Sequence, residues 1–255
     1  MDVTLITGAS SGLGAIFARK LAAQKQNLVL VARRKDKLQE LALELRKAHG
    51  VSVFVESMDL SSSNAANKLL KKLSAKKFEV TCLVNNAGFG TFGSFSSQDV
   101  LRQTEMINLN CTALMQLCHA VLPPMQKRKS GSILNVASTA AFQAGPGMAV
   151  YYASKAFVLS FSEALHDEVK AQGIKVSCLC PGPTDTDFFA AADAGHSRLT
   201  KLLGSADKVV DDGLAALRSN QAFIVSGLMN KIFAQGNRIS PRAVTRRITR
   251  LLNKS

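Results

Sequence analysis

Tyr151 and Lys155 stand four residues apart in the run Tyr151-Tyr152-Ala153-Ser154-Lys155, which continues into the helix-like stretch Ala156 to Phe161. Residues four apart share one face of a helix, so an ammonium there can sit beside a phenol. An ordinary phenol has a pKa of about 10 and keeps its proton at neutral pH. A fixed cation close by favours the phenolate and lowers that value. A tyrosine tuned in this way can pass a proton to or from an alcohol or carbonyl oxygen. Tyr152, three residues from Lys155, is turned away by one position. A Tyr-x-x-x-Lys pair by itself is commonly a solvated helix face, so its meaning depends on what else the chain brings near it.

The second group that could do chemistry lies at the start of the chain. Val3 to Thr7 is a short β-rich run that leads into Gly8-Ala9-Ser10-Ser11-Gly12-Leu13-Gly14 and then a helical pattern with Ile16, Leu21 and Ala22 apolar. Strand, glycine turn and helix together form a phosphate cradle. Glycines let the backbone approach a pyrophosphate, and the helix N-terminus offers free N–H groups and partial positive charge. The spacing is G-x-x-x-G-x-G rather than G-x-G-x-x-G. Asn27 to Ala32 reads as a second buried strand, ending in Arg33-Arg34. NAD-binding units place an acid near this point for the ribose 2′-hydroxyl, whereas an arginine there suits a 2′-phosphate and hence NADP. A charged strand end is the plainer reading of the same two residues.

The elements that would position these groups alternate along the chain. Lys35 to His49 is an amphipathic helix with Leu38, Leu41, Ala42 and Leu45 on one stripe, and Val51 to Val55 is the third strand, leading to Asp59-Leu60. Ser61 to Lys76 is a helix, and Val80 to Val84 is the fourth strand, ending in Asn85-Asn86-Ala87-Gly88. The carboxyl edge of such strands is where open α/β sheets bind ligands. Gly88 to Gly93 could line a substrate mouth. Gln98 to Arg128 reads as a helix with Asn110 in its middle and a break near its end at Pro123-Pro124. Gly131 to Ala137 is the fifth strand with Ser138 at its end, and Ile174 to Cys180 is the sixth, followed by Pro181-Gly182-Pro183-Thr184. The segment 187–203, with His196, reads as a lid or a surface helix. Ser205 to Ser219 is a helix with an N-cap serine, and Ala222 to Val225 is a last strand. Strands and helices in alternation over 255 residues point to one doubly wound α/β domain, with no repeat or linker to suggest a second.

Composition bounds the function. The start of the chain lacks a signal-peptide pattern, and no uncharged apolar run reaches the roughly 20 residues of a membrane span. Five cysteines without C-x-x-C spacing suggest reduced, buried thiols and a cytoplasmic setting. The four histidines show no ligand spacing, so no metal is expected. The net charge is +14, and from Gly213 to Ser255 there are eight basic residues and no acid. Ser240-Pro241 reads as an N-cap and first helical residue of a C-terminal helix over about 240–252, with Val244, Ile248, Leu251 and Leu252 as an apolar stripe and Arg242, Arg246 and Arg250 as a basic one. The expected arrangement docks the helix on its own subunit or a neighbour with the arginines in water. Binding to anionic lipid is the alternative.

The order strand–TGASSGLG–helix, Asp59-Leu60, NNAG at 85–88, Ser138, Tyr151-x-x-x-Lys155 and Pro181-Gly182 resembles the single-domain form of the short-chain dehydrogenase/reductase family over roughly residues 3–226. The resemblance implies a Rossmann-type parallel sheet of about seven strands with helices on both faces. It also implies dimers or tetramers packed through the helices holding Asn110 and Tyr151. By the same resemblance Tyr151 is the acid/base, and Lys155 lowers its pKa and holds the nicotinamide ribose. Ser138 bonds the substrate oxygen, and Asn110, rather than the nearby Asn108, anchors a proton-relaying water. Gly8, Ser10, Gly12 and Gly14 form the phosphate loop, Asp59 contacts adenine and Asn86 anchors a strand end. Ser11, Leu13, Leu60, Ala87, Gly88, Pro181, Gly182 and Thr184 complete the NADP(H) side. Many NADP-using members carry a basic residue just before the middle glycine of the loop, where this chain has Ser11, which leaves the 2′-phosphate to Arg33 and Arg34.

The expectation is therefore an NADPH-dependent oxidoreductase of a small-molecule carbonyl or secondary alcohol, its substrate possessing an apolar body if the leucine, phenylalanine, methionine and alanine of the expected pocket segments, near Ala140 to Met148 and 187–203, are a guide. A catalytically idle NADP-binding regulator is the alternative, opposed by the intact Ser138, Tyr151 and Lys155. A nucleic-acid binder lacks the aromatic residues that would interleave with the basic ones.

Overall fold

The computed structural model describes residues 1–186 and 203–253. The expected lid at 187–203, His196 included, lies outside these residues except for Leu203.

Seven parallel strands form one sheet in the order β3-β2-β1-β4-β5-β6-β7. They are β1 Asp2–Thr7, β2 Leu28–Ala32, β3 Val53–Ser57, β4 Glu79–Asn85, β5 Gly131–Val136, β6 Ile174–Cys180 and β7 Phe223–Val225. The strands are buried on both faces, which is why they read as continuous apolar runs. Alternation along β2 shows how the core divides. Val29 and Val31 face one layer, with α3 (Ala65–Ala75), α5 (Leu114–Arg128) and α6 (Ala149–Val169). Leu28 and Leu30 face the other, with α1 (Gly12–Ala23), α2 (Lys35–His49) and α7 (Ala206–Arg218). The strand order reverses between β1 and β4, so the carboxyl ends of these two strands open a crevice for a ligand.

The expected helix 98–128 differs in two ways. It is α4 (Val100–Ile107), a π-helical turn (Asn108–Ala113) and α5, in unbroken succession. Pro123 and Pro124 lie inside α5 and do not break it. Both are exposed, and the carbonyl that Pro123 deprives of a partner belongs to the exposed His119, where water can bond it. Asp99 caps α4 by accepting from the Leu101 amide at 3.0 Å.

The C-terminal region also differs. A helix the apolar spacing had not revealed, α8 (Leu228–Ile239), follows β7. Ser240 closes α8, donating its amide to the Gly236 carbonyl, and is held extended by the proline after it. Pro241 is therefore the N-cap residue of α9 (Arg242–Leu252) rather than its first turn. The buried face of α9 is not the apolar stripe. Thr245, Thr249 and Asn253 are buried, while Val244, Ile248 and Leu251 are each about half exposed. The threonine hydroxyls bond back to the carbonyls four residues earlier, so these small side chains enter the interior without unpaired groups. The arginines of α9 do point to water, as expected.

Candidate active site

A cavity of about 1060 Å³ lies along the carboxyl ends of the strands. Its first wall is the turn between β1 and α1. Gly8 and Gly12 have φ of 66° and 52°, a left-handed backbone in which side chains are strained. A Cβ on Gly14 would lie 2.2 Å from the Gly8 carbonyl oxygen, so only glycine lets α1 start this close to the loop. Asn86, at the end of β4, ties the turn down. Its Nδ2 donates to the Thr7 and Gly8 carbonyls at 3.1 and 3.2 Å, and its amide donates to Thr7 Oγ1 at 3.0 Å. Gly8, Ser10, Ser11, Gly12 and Leu13 line the cavity, while Gly14 stands behind as packing.

Beyond the glycine turn the wall becomes cationic. Arg34 reaches back over the turn and donates to the hydroxyls of Ser10 and Ser11. Arg33, exposed beside it, forms no salt bridge among the described residues and neither does Arg34. Two guanidinium groups and two hydroxyls thus meet at one end of the cavity, a donor set that suits a phosphate. Asp59 accepts from the amide and hydroxyl of Ser61 at 2.9 and 2.7 Å. Burial raises its pKa, but these bonds and the nearby Arg33 hold it below its ordinary value. Leu60, Ala87, Gly88, Pro181, Gly182 and Thr184 complete this side. These residues fit a dinucleotide: glycines leave room for its backbone and the far end carries donors for an anion.

The proton-handling groups meet in the middle of the cavity. Ser138 follows β5 and caps a short turn, accepting from the Ala140 amide at 3.1 Å. Tyr151 and Lys155 project from one face of α6 as their spacing requires. Both are buried and both line the cavity. The expected tuning differs in detail. Burial raises the Tyr151 phenol well above its ordinary range, and a hydrogen bond with Ser138 offsets this in part. The Lys155 ammonium is 5.9 Å from the centre of the Tyr151 ring and donates instead to the Val136 carbonyl at 2.9 Å. Burial lowers its pKa to about 8. Tyr151 is accordingly a phenol that holds its proton at neutral pH.

Asn110 lies in the π-helical turn, almost fully buried, whereas Asn108 is partly exposed. Its Oδ1 accepts from the Phe89 amide at 3.1 Å, and its Nδ2 donates to the Phe89 carbonyl and to Ser154 Oγ, each at 3.0 Å. The side chain therefore clamps the Gly88–Phe89 loop to α6. It stands behind the cavity surface, next to Gly88, where an added Cβ would lie 3.0 Å from Oδ1 and 3.4 Å from the Lys155 Nζ.

The opposite wall combines stretches expected to line the pocket with residues of α8 and α9 that motif reasoning missed. Phe89 and Met148 line it, with Leu228, Met229 and Phe233 from α8 and Leu252 from α9. Tyr152, though turned from Lys155, also borders the cavity. Its hydroxyl donates to Asn253 Oδ1 at 3.3 Å, and Asn253 Nδ2 donates to the Pro146 carbonyl at 3.0 Å. The end of the chain is thereby fastened to the loop before α6. For the residues of α8 and α9 the only signal in the sequence was their apolar character, which does not say what a side chain faces.

Comparison with known proteins agrees with this geometry. The family described as short chain dehydrogenase matches residues 2–196. The chain is 35% identical to sulfoacetaldehyde reductase 2 of Chromohalobacter salexigens over 204 residues, 79% of this chain and 80% of that protein. Among solved structures it is similar to a short-chain dehydrogenase from Sphingobium yanoikuyae in complex with NADPH, with 33% identity, 93% and 94% of the two chains covered and a TM-score of 0.84. It is also similar to a bulky-bulky ketone specific alcohol dehydrogenase from Comamonas testosteroni, with 29% identity, 95% and 96% covered and a TM-score of 0.79.

Proposed function

The chain belongs to the short chain dehydrogenase family, oxidoreductases acting on CH–OH and C=O groups, and on that premise we propose that it reduces a ketone or aldehyde with NADPH. The observation that carries this reading is the convergence of Ser138, Tyr151 and Lys155 on one cavity whose far end holds the glycine turn, Arg33 and Arg34. A bound nicotinamide supplies the hydride. Ser138 and Tyr151 are the two hydroxyl donors that hold the carbonyl oxygen as negative charge develops on it. Tyr151, kept protonated by burial, gives that oxygen its proton. Lys155 places a cation in a dry site beside the phenol and orients the ribose. Asn110 positions the reacting groups by fixing Phe89 against α6, and any relay water uses what remains of its oxygen.

NADPH is favoured over NADH because charge-assisted hydrogen bonds contribute roughly 1.5–3 kcal/mol each and Arg33 and Arg34 offer several to a 2′-phosphate. The Sphingobium relative, solved with NADPH, supports the same choice. The substrate is a bulky, largely apolar carbonyl compound, for which the aromatic and methionine side chains opposite Tyr151 are suited. The Comamonas relative, specific for bulky-bulky ketones, points the same way. Met115 on α5 and Phe157 on α6 are each 40% exposed and offer an apolar surface for a homodimer or homotetramer through those helices. The unbridged cysteines suit the cytoplasm.

The test is initial-rate kinetics of the purified protein with NADPH and with NADH against bulky aromatic ketones, aliphatic aldehydes and sugars. NADPH oxidation, fastest with the bulky ketones, is the expected result. Binding of NADPH without turnover on any carbonyl would establish the idle regulator instead, and a preference for sugars would overturn the substrate class.

A further inference from the structure

We propose that the outward face of α8 and α9 docks on an anionic lipid surface, with the mouth of the cavity turned towards the bilayer. Apolar side chains in water are normally scattered singly over a protein surface. Here they are grouped on two successive helices: Leu228, Ile232 and Ile239 on α8 are 74%, 55% and 88% exposed, and Val244, Ile248 and Leu251 on α9 are about half exposed. Val244, Ile248 and Leu251 share one face of α9 by their spacing of four and three. Arg247, exposed, flanks that stripe, and Lys231, exposed, flanks Leu228, Ile232 and Ile239 on α8, whereas Arg246 and Arg250 lie further round α9.

Charge decides which occupant such a face takes. No acidic residue occurs between Gly213 and Ser255. In a dimer built on this face, each copy would set its cations against those of the other, because a two-fold interface brings a patch onto itself. A nucleic acid would engage the arginines and leave the apolar stripe in water. An anionic bilayer satisfies both: the apolar side chains enter the acyl boundary while arginine and lysine stems lie along it with their charges at headgroup level.

The position of the face in the fold gives docking a consequence. Leu228, Met229, Phe233 and Leu252 belong to these same helices and line the cavity. Asn253, at the end of α9, is bonded to Tyr152 and to the Pro146 carbonyl, so the helix is fastened to the cavity wall. A bilayer on this face lies at the rim, where an apolar carbonyl compound dissolved in lipid could pass inward. The docking itself does not depend on the reductase reading, which enters only in what the docking would deliver.

The measurement is co-sedimentation of the full chain with phosphatidylcholine vesicles, with and without phosphatidylserine, at low and high salt. The protein is expected to pellet with the anionic vesicles at low salt and to be released by high salt. Each basic side chain near an anionic surface is worth roughly fivefold in affinity, so Lys231→Ser with Arg247→Ser should weaken binding about 30-fold. Ile248→Ser with Leu251→Ser should weaken it by at least about tenfold through lost apolar burial. None of these four side chains lines the cavity, so NADPH oxidation with a water-soluble carbonyl and the melting temperature are read alongside and should stay unchanged. Wild-type protein that stays in the supernatant, or pellets equally without phosphatidylserine, overturns the proposal. So does binding unaffected by both double variants, or an oligomer that the Ile248→Ser, Leu251→Ser protein no longer forms.

Discussion

On one side of the cavity, Gly8, Gly12 and Gly14 let the backbone itself form the wall, and Asn86 holds it through the Thr7 and Gly8 carbonyls. On the other side the wall is made of side chains, among them Met148 from just before α6 and Leu228 and Phe233 from α8, near the end of the chain. The first wall has almost no freedom to vary, because an added Cβ meets backbone atoms at 2.2 Å at Gly14 and at 2.9 Å at Gly8. In the second, Phe233 is 64% exposed and can be shortened with little disturbance. A nearly invariant ligand needs the first kind of wall, and a substrate that differs from one relative to another needs the second.

Substitutions can test how far that contrast goes. The largest effect is expected from Gly14→Val. The new side chain has no space short of moving the turn away from α1, so NADPH binding should be lost and the protein destabilised by ~3 kcal/mol or more. Isothermal titration and a urea melt measure both, and near-normal NADPH affinity would show that the turn yields where the geometry says it cannot. Tyr151→Phe comes next and separates chemistry from both walls. Turnover should fall by about 10²–10⁴-fold with NADPH affinity held within a few-fold, since only the hydroxyl is removed. A variant that keeps more than a tenth of the rate would take Tyr151 out of the proton transfer.

The cationic end of the first wall can be examined through Arg34→Ser. Loss of charge-assisted bonds to a 2′-phosphate should lower kcat/KM for NADPH by about 10- to 100-fold and leave NADH nearly unchanged. Equal losses with both cofactors would mean that Arg34 only braces Ser10 and Ser11.

Lys155 gives a prediction in pH. Its folded pKa, lowered to about 8 by burial, lies below the ordinary value of 10.5. Between these two pH values the unfolded chain binds the proton more readily, so stability rises with pH across that window. Below about pH 8 the lysine is charged in both states and the full cost of burying the ammonium is felt. Urea midpoints from pH 7 to 10 should therefore climb in the wild type by the equivalent of a few kcal/mol relative to Lys155→Met. Parallel curves for the two proteins would show that the ammonium is better solvated than its position suggests.

The smallest effect belongs to the second wall. Phe233→Ala should raise KM for a bulky ketone by about fivefold, the worth of a partly exposed contact, and leave the NADPH dissociation constant unchanged. A change in NADPH affinity would break the division between the walls.

Local pattern was enough to place much of this. The apolar runs of β1 to β6 follow from burial on both faces. The glycine spacing of 8–14 follows from the close approach of backbone at Gly14, and the Tyr151–Lys155 pairing follows from helical geometry alone. Each rests on contacts within a few residues or on a repeating period, so the residue types record it. Three other features depended on which distant segments met. The wall formed by α8 and α9 needed the chain after β7 to fold back across the strand ends. Asn110 became a clamp because Phe89 and Ser154 arrive on either side of it. On α9 an apolar stripe and a threonine row were both available, and the row went inward, where Thr249 satisfies its hydroxyl on its own helix and Asn253 bonds to Tyr152 and the Pro146 carbonyl. A hydrophobic pattern states which side chains gain from leaving water, whereas only the packed neighbours decide whether a place exists for them.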